Sequence, residues 1–239
     1  MATINDNLQA VAARIGDAAR AAGRDRSAVR LLAVSKTQPP AALAQAYACG
    51  QRSFGENYVQ EALDKKAALE TISPGIAAQI EWHLIGPLQS NKTRLVAESF
   101  DWVHTIDREK IARRLSEARA AGAPPLNVLI QVNVSGESTK SGVPPEQAAA
   151  LARDVAKLPR LHLRGLMAIP EPTEDKALQH ERFRAVRELF ECLNGAGLAL
   201  DTLSMGMSAD LESAVAEGST LVRIGTAIFG ERSKAKAAA

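Results

Sequence analysis

The 239-residue sequence is short of aromatic side chains. Phe, Trp and Tyr make up 4% of it, and its 2 tyrosines are Tyr47 and Tyr58. With 46% hydrophobic residues a core is easily filled, but aliphatic side chains must fill it. Cysteine is equally scarce. Cys49 and Cys192 stand far apart, which excludes a disulfide framework or a close metal pair. Each is expected to be a small buried apolar group in a reducing compartment. An excess of one charge is also missing: 29 basic residues face 27 acidic ones, for a net +2. That near balance excludes a dedicated nucleic-acid surface and a polybasic membrane patch. No apolar run approaches the ~18 residues of a membrane span. The first residues show no basic-then-apolar leader, so a cytoplasmic location is expected.

What is present is an alternation of short apolar runs and amphipathic segments. Residues 3–22 place Ile4, Leu8, Val11, Ile15 and Ala18 at helical spacing, and Gly23 can stop that helix. Strands are expected at 29–36, 52–55, 80–85, 100–106, 127–134, 161–169, 200–205 and 221–224, with helices between them. Asp107 is expected as an N-cap, and Pro144 or Pro145 as the opening of the next helix. Near-continuous apolar strands suit a parallel sheet covered on both faces. Eight βα units fit an α/β fold, a single (β/α)8 TIM barrel with an extra N-terminal helix, which typically needs ~250 residues. An open doubly wound sheet is the alternative. No Pro-, Gly- or Ser-rich linker divides the chain. Residues 1–232 are therefore expected to form one domain and 233–239 a frayed tail. No heptad seam is seen, so a monomer is expected.

In such barrels the site lies at the C-terminal ends of the strands. The polar residues collected there are Lys36, Asn57, His83, Asn133, Ser208, Arg223 and Thr226. Alternation along the first strand sets Leu32, Val34 and Lys36 on one face. A lysine ending an apolar strand is partly desolvated, which lowers its pKa and suits an imine-forming amine. Along the last strand, Leu221, Arg223 and Gly225 share a face, which puts a fixed cation at the barrel mouth. Gly225-Thr226-Ala227 opens a short helix, and Ser208 opens the segment after strand seven. Loops after strands seven and eight form the recurring phosphate cup of this fold. The ligand should then carry a carbonyl, an acceptor atom and a phosphate. Pyridoxal phosphate satisfies all three, and a phosphorylated sugar on an imine-forming aldolase satisfies the first and third. His83 and His104 lack an H-x-H pair or a carboxylate cluster, which argues against a metal hydrolase and for hydrogen-bonded barrel histidines.

Six stretches carry a resemblance. They are Leu32-Ala33-Val34-Ser35-Lys36-Thr37, residues 54–61 (FGENYVQE), residues 82–92 (WHLIGPLQSNK), residues 165–170 (GLMAIP), residues 203–210 (LSMGMSAD) and residues 222–230 (VRIGTAIFG). In that order they resemble the pyridoxal phosphate homeostasis proteins, the YggS/PROSC-type family, across nearly the whole chain. Gln38, where relatives often carry a second lysine, is a departure. The resemblance implies a barrel like the N-terminal domain of alanine racemase, with pyridoxal 5'-phosphate held as a Schiff base on Lys36. It implies Arg223 beside the pyridine nitrogen and phosphate contacts from Ser208, Gly225 and Thr226. Asn57, His83 and Met207, which lie in the shared motifs, are counted with the cofactor-binding set. It implies a carrier or regulator in vitamin B6 homeostasis, with apo-enzymes needing the cofactor as partners, and no catalytic residue. The alternative is a pyridoxal-phosphate-dependent amino-acid racemase or a similar weak enzyme; a racemase needs a second acid/base on the other face of its substrate. Lys140, in the loop after strand five, is either a transient second amine or a solvated lysine.

Overall fold

The computed structural model describes residues 2–135 and 141–230. The expected tail at 233–239 and Lys140 lie outside them. Helix α1 (Ile4–Ala21) starts on a capping box: the Thr3 hydroxyl accepts from the Asp6 amide, and the Asp6 carboxylate accepts from the Thr3 amide. The strands are β1 (Arg30–Val34), β2 (Ser53–Glu56), β3 (Glu81–Leu84), β4 (Trp102–Ile106), β5 (Leu126–Val132), β6 (Leu161–Ala168), β7 (Thr202–Ser204) and β8 (Leu221–Ile224). Between them run α2 (Pro40–Ala48), α3 (Val59–Ile72), α4 (Thr93–Ser99), α5 (Glu109–Ala118), α6 (Pro145–Ala156), α7 (Lys176–Gly195) and α8 (Leu211–Ala216); the short α9 (Thr226–Phe229) follows β8. The strands pair in parallel with their sequence neighbours, and β8 pairs back onto β1, so the sheet closes into a barrel. The open-sheet alternative is excluded.

Two separate interiors result. The larger lies between sheet and helices and is aliphatic, as the shortage of aromatics required. Helix α7 illustrates its logic: Gln179, Phe183, Val186 and Leu193 are buried at steps of four, three and seven, and Leu189 and Phe190 pack half-buried beside them. The smaller interior lies inside the barrel. Leu32, Ile85 and Leu221 form one apolar cluster there, and Trp102, Leu129 and Met167 another. Polar groups stand with them: His83 and His104 are fully buried, with the His83 ring stacked on Trp102 at 5.2 Å between centroids. Strands β6 and β7 approach closely at Gly165, where a Cβ would stand 1.9 Å from the Thr202 carbonyl oxygen.

Three expectations need correction. Asp107 is not an N-cap; α5 begins at Glu109 after Arg108, and the Asp107 carboxylate pairs with the Arg108 guanidinium instead. Cys49 and Cys192 are exposed rather than buried. Cys49 caps the C-terminus of α2, and Cys192 falls just off the buried stripe of α7. Helix α3, expected from the sequence to end at Lys66, runs on to Ile72. Helix α1 does cover one side of the barrel. Arg14 forks onto Glu212 at 2.6 and 2.7 Å and reaches the Ser208 carbonyl at 2.8 Å, while Asn7 donates to the Ile228 carbonyl. The extra helix thus ties together the loops that follow β7 and β8.

Replacing Gly165 by Ala sets a methyl against the β7 backbone. The Gly165→Ala variant should lose on the order of 3 kcal/mol of stability in urea unfolding, because backbone has to move apart to admit it.

Candidate functional site

Strand β1 ends at Val34, and Ser35 to Thr37 turn away from it. Four contacts fix that turn. The Ser35 amide bonds the Gly55 carbonyl, and the Ser35 hydroxyl donates to Glu56 Oε1 at 2.6 Å. Lys65 Nζ donates to the Ser35 carbonyl at 2.7 Å, to Glu56 at 2.8 Å and to Glu61 at 2.7 Å. The Thr37 amide donates to Glu61. Thr37 has φ +64°, a left-handed conformation that β-branched residues rarely adopt. The buried Lys65, 4% exposed, holds it there through Glu61. Burial pushes the Glu56 carboxyl above its ordinary value, and Lys65 and Ser35 pull it back. The outcome is a fixed placement for the backbone that carries Lys36.

Lys36 lines a cavity of about 320 Å³ at the C-terminal end of the barrel. Val34, Ile85, Ile169 and Met207 give it apolar walls; Ile169 is 40% exposed beside the opening. Arg223 lies in the floor, 4% exposed, with Nη1 bonded to the Ser204 carbonyl and hydroxyl at 2.6 and 2.7 Å. Its Nη2 donates to the Ala168 carbonyl at 2.8 Å. A guanidinium has five N–H groups and no acceptor, so donors are left over after these three bonds. Burial lowers its pKa to about 10, which still leaves it protonated at neutral pH. Ser208, Gly225 and Thr226 complete the wall, where the first turn of α9 presents amides without intrahelical acceptors.

Asn57 closes the cavity from β2. Its Oδ1 is buried with no hydrogen-bond partner, an unusual cost for a polar atom. Gly86 explains how Asn57 is held: a Cβ at Gly86 would stand 2.1 Å from the Asn57 carbonyl oxygen, so the loops after β2 and β3 touch backbone to backbone. A larger cleft of about 500 Å³ opens at the other end of the barrel, beside Arg26, Arg30 and Arg52, but it holds none of the expected site residues.

Of the expected site residues, Lys36, Asn57, Met207, Ser208, Arg223, Gly225 and Thr226 meet at this one cavity. His83 does not. It lies on the inward face of β3, but its ring is aimed at Glu81, two residues earlier, and at His104. It is thus held inside the barrel, below the cavity. Asn133 is also outside the wall; its amide bonds the Val143 carbonyl, and its side-chain oxygen accepts from the Ser135 amide. Ser208 is not a helix cap, since α8 begins after Asp210. Glu56, Glu61 and Lys65 were missed. The spacing of Glu61 and Lys65, four apart on a helix, was a legible sign of an ion pair, but its attachment to the Lys36 turn was not. Among the described residues, no group of three or more His, Cys, Asp or Glu side chains could hold a metal ion.

A family profile described as the alanine racemase N-terminal domain matches residues 7–233. A pyridoxal phosphate homeostasis protein of Pseudomonas aeruginosa is 61% identical over 232 residues, 97% of either chain. The chain belongs to the pyridoxal phosphate homeostasis protein family. A member from Escherichia coli K12 is 53% identical over 236 residues, covering 99% of this chain and all of its own. Among solved structures, PipY of Synechococcus elongatus with PLP bound superposes with a TM-score of 0.82 at 36% identity, covering 95% of this chain and 100% of that one. An alanine racemase of Clostridium difficile superposes at 0.74 with 14% identity over 56% of its length, which is likeness of fold alone.

The Lys65 clamp yields a two-part expectation. Lys65→Met strands the Glu56 carboxylate in the core and should cost about 3–5 kcal/mol in denaturant unfolding. Adding Glu56→Leu should restore most of that stability while leaving the Thr37 turn loose. Amine reactivity at Lys36, followed by labelling mass spectrometry, should then stay altered in the double variant.

Proposed function

We propose that this chain binds pyridoxal 5'-phosphate covalently through Lys36 and serves in vitamin B6 homeostasis as a carrier or regulator rather than as a strong catalyst. One observation carries the reading: an amine, a fixed cation and a set of hydroxyl and amide donors meet around one apolar-walled cavity. The fit extends to Asn57, whose orphaned Oδ1 is the kind of acceptor that a ring hydroxyl satisfies. The relatives' names and the PLP-bound PipY structure point the same way.

The cofactor, when bound, supplies an aldehyde for an amine and an electron-withdrawing ring. Lys36 Nζ is the amine that would hold the cofactor covalently through that aldehyde. Ser208, Gly225 and Thr226 take the phosphate, with helix α1 steadying their loops through Arg14 and Asn7. Arg223 would serve the ring nitrogen as a donor. Its pKa of about 10 lies far above that of a pyridine, so it gives a hydrogen bond without giving up its proton. The ring nitrogen would then stay neutral, and the carbanion stabilisation that the cofactor supplies would be weak.

Racemisation needs a second proton-transfer group across the substrate. Lys36 and Arg223 are the ionisable side chains of the cavity wall among the described residues. Tyr47 donates to Gln79 on the outside of the barrel, and Tyr58 is 61% exposed at the start of α3. This supports a chain that holds the cofactor and does little with it. A single domain, a monomeric state, a cytoplasmic location and delivery to apo-enzymes belong to the same proposal; among the described residues no helix is long and apolar enough to cross a membrane.

Borohydride reduction of the cofactor-loaded protein, followed by peptide mass spectrometry, should place the adduct on Lys36, and Lys36→Ala should acquire no reducible chromophore. A label on another lysine overturns the assignment. Incubation of the loaded protein with L- and D-amino acids in heavy water should give α-deuterium exchange no faster than the free cofactor does. Rapid exchange would favour the racemase reading.

A further inference from the structure

Below the cavity, inside the barrel, runs a line of polar side chains that the binding site does not itself use. It starts at the N-terminal end of the strands, where Arg30 Nη2 pairs with Glu81 Oε1 at 2.5 Å. Glu81 Oε1 lies 2.7 Å from His83 Nε2. His83 Nδ1 lies 2.8 Å from His104 Nε2. His104 Nδ1 lies 3.0 Å from the Ser204 hydroxyl, and that hydroxyl accepts from Arg223 Nη1 at 2.7 Å. The line therefore joins β1, β3, β4, β7 and β8, between the two apolar clusters of the barrel interior.

Donor counting gives the line a direction. Arg223 can only donate, so Ser204 accepts from it and has one hydrogen to give. His104 Nδ1 takes that hydrogen if it is bare. His104 then carries its proton on Nε2 and donates to a bare His83 Nδ1. His83 carries its proton on Nε2 and donates to the Glu81 carboxylate. The reverse order would face a bare His83 nitrogen against Glu81, two lone pairs at hydrogen-bond distance. A doubly protonated ring would be a cation buried between Arg30 and Arg223. Burial holds the His83 pKa down, and burial with the charges of Arg223 and Arg30 holds His104 well below the ordinary imidazole range. Burial pushes Glu81 upward, but the His83 hydrogen bond, the Arg30 charge and the Ser53 hydroxyl outweigh it and bring its pKa to about 2. Glu81 is thus the ionised acceptor that anchors the direction. Asp101 is the remaining charged group that acts on His83.

We propose that Glu81, His83, His104 and Ser204 are positioning residues, forming a one-way hydrogen-bond chain that fixes the Arg223 guanidinium under the cavity and couples it to the Arg30–Glu81 pair at the opposite end of the barrel. The chain gives His83 a task that its absence from the cavity wall leaves open. Aligned hydrogen bonds polarise one another in a low-dielectric interior, so the carboxylate at one end makes the Ser204 hydroxyl at the other a stronger acceptor and tightens its hold on Arg223. Its consequence for the cofactor rests on the binding reading above; its direction does not.

The test uses cofactor-free protein labelled with ¹⁵N. The sequence has 4 histidines, so long-range proton–nitrogen correlation spectra can resolve each ring. His83 and His104 should both be neutral, with the proton on Nε2, between about pH 6 and pH 8. A proton on Nδ1 of either ring, or an imidazolium at neutral pH, overturns the chain. Glu81→Gln should shift the ring signals of His104 and the Nε–H signal of Arg223, neither of which Glu81 touches. The half-exposed Arg30→Gln should shift them in the same sense by less, and serves if Glu81→Gln folds poorly. Unmoved signals in a folded variant overturn the coupling. Titration with pyridoxal phosphate should give Glu81→Gln a Kd about tenfold higher than the parent, and an unchanged Kd overturns the effect on the cofactor. A parent protein that takes up no cofactor sinks the binding reading instead and leaves the tautomers to judge the chain.

Discussion

The buried Lys65–Glu56 pair is the constraint on which the site depends. Two charges removed from water gain nothing dependable in stability, because desolvation cancels most of their attraction. What they gain here is direction. Lys65 comes from helix α3, Glu56 from the end of β2, and the Ser35 carbonyl from the end of β1. One ammonium with three donors therefore joins three elements at the point where the first strand turns toward the cavity. An apolar replacement could fill the volume but could not bond the Ser35 carbonyl or orient Glu61 toward the Thr37 amide. The unfavourable backbone conformation at Thr37 is sustained by that network.

The two interiors divide the work. The shell between sheet and helices is aliphatic and holds the barrel together by burial of area. The space inside the barrel is part polar, with His83, His104, Ser204 and Arg223 among small apolar clusters. Polar side chains inside a barrel specify geometry better than aliphatic ones, since each hydrogen bond has a distance and an angle that packing lacks. The cost of burying them is offset because nearly all have partners; Asn57 Oδ1 at the cavity is an exception.

Much of this was legible in the sequence. Parallel strands covered on both faces leave apolar runs, and eight such runs spaced by amphipathic segments gave the barrel. Alternation correctly joined Val34 with Lys36 and Arg223 with Gly225, because a two-residue period survives small errors in strand ends. The misses share a cause. His83 was placed on the right face of its strand but on the wrong level, since level depends on partners from β4 and from its own strand that no local pattern reveals. Cys192 fell one helical position beside a buried stripe, and Cys49 fell at the end of its helix, where the chain turns out to solvent. Asp107 looks like a cap until Arg108 next to it takes its carboxylate. The role of Lys65 depends on strand ends that are neighbours only in the closed barrel.

Helix α1 carries a last consequence. Through Arg14 and Asn7 it braces the loops of residues 208 and 228, so the earliest segment of the chain supports the latest. Lys36 leaves the ribosome well before Arg223, Gly225 and Thr226. If these residues hold a ligand as proposed, a nascent chain exposes its amine well before it can grip the ligand's opposite end. On that reading, retention begins only when these distant stretches of the polypeptide have met, so translation itself separates first encounter from capture.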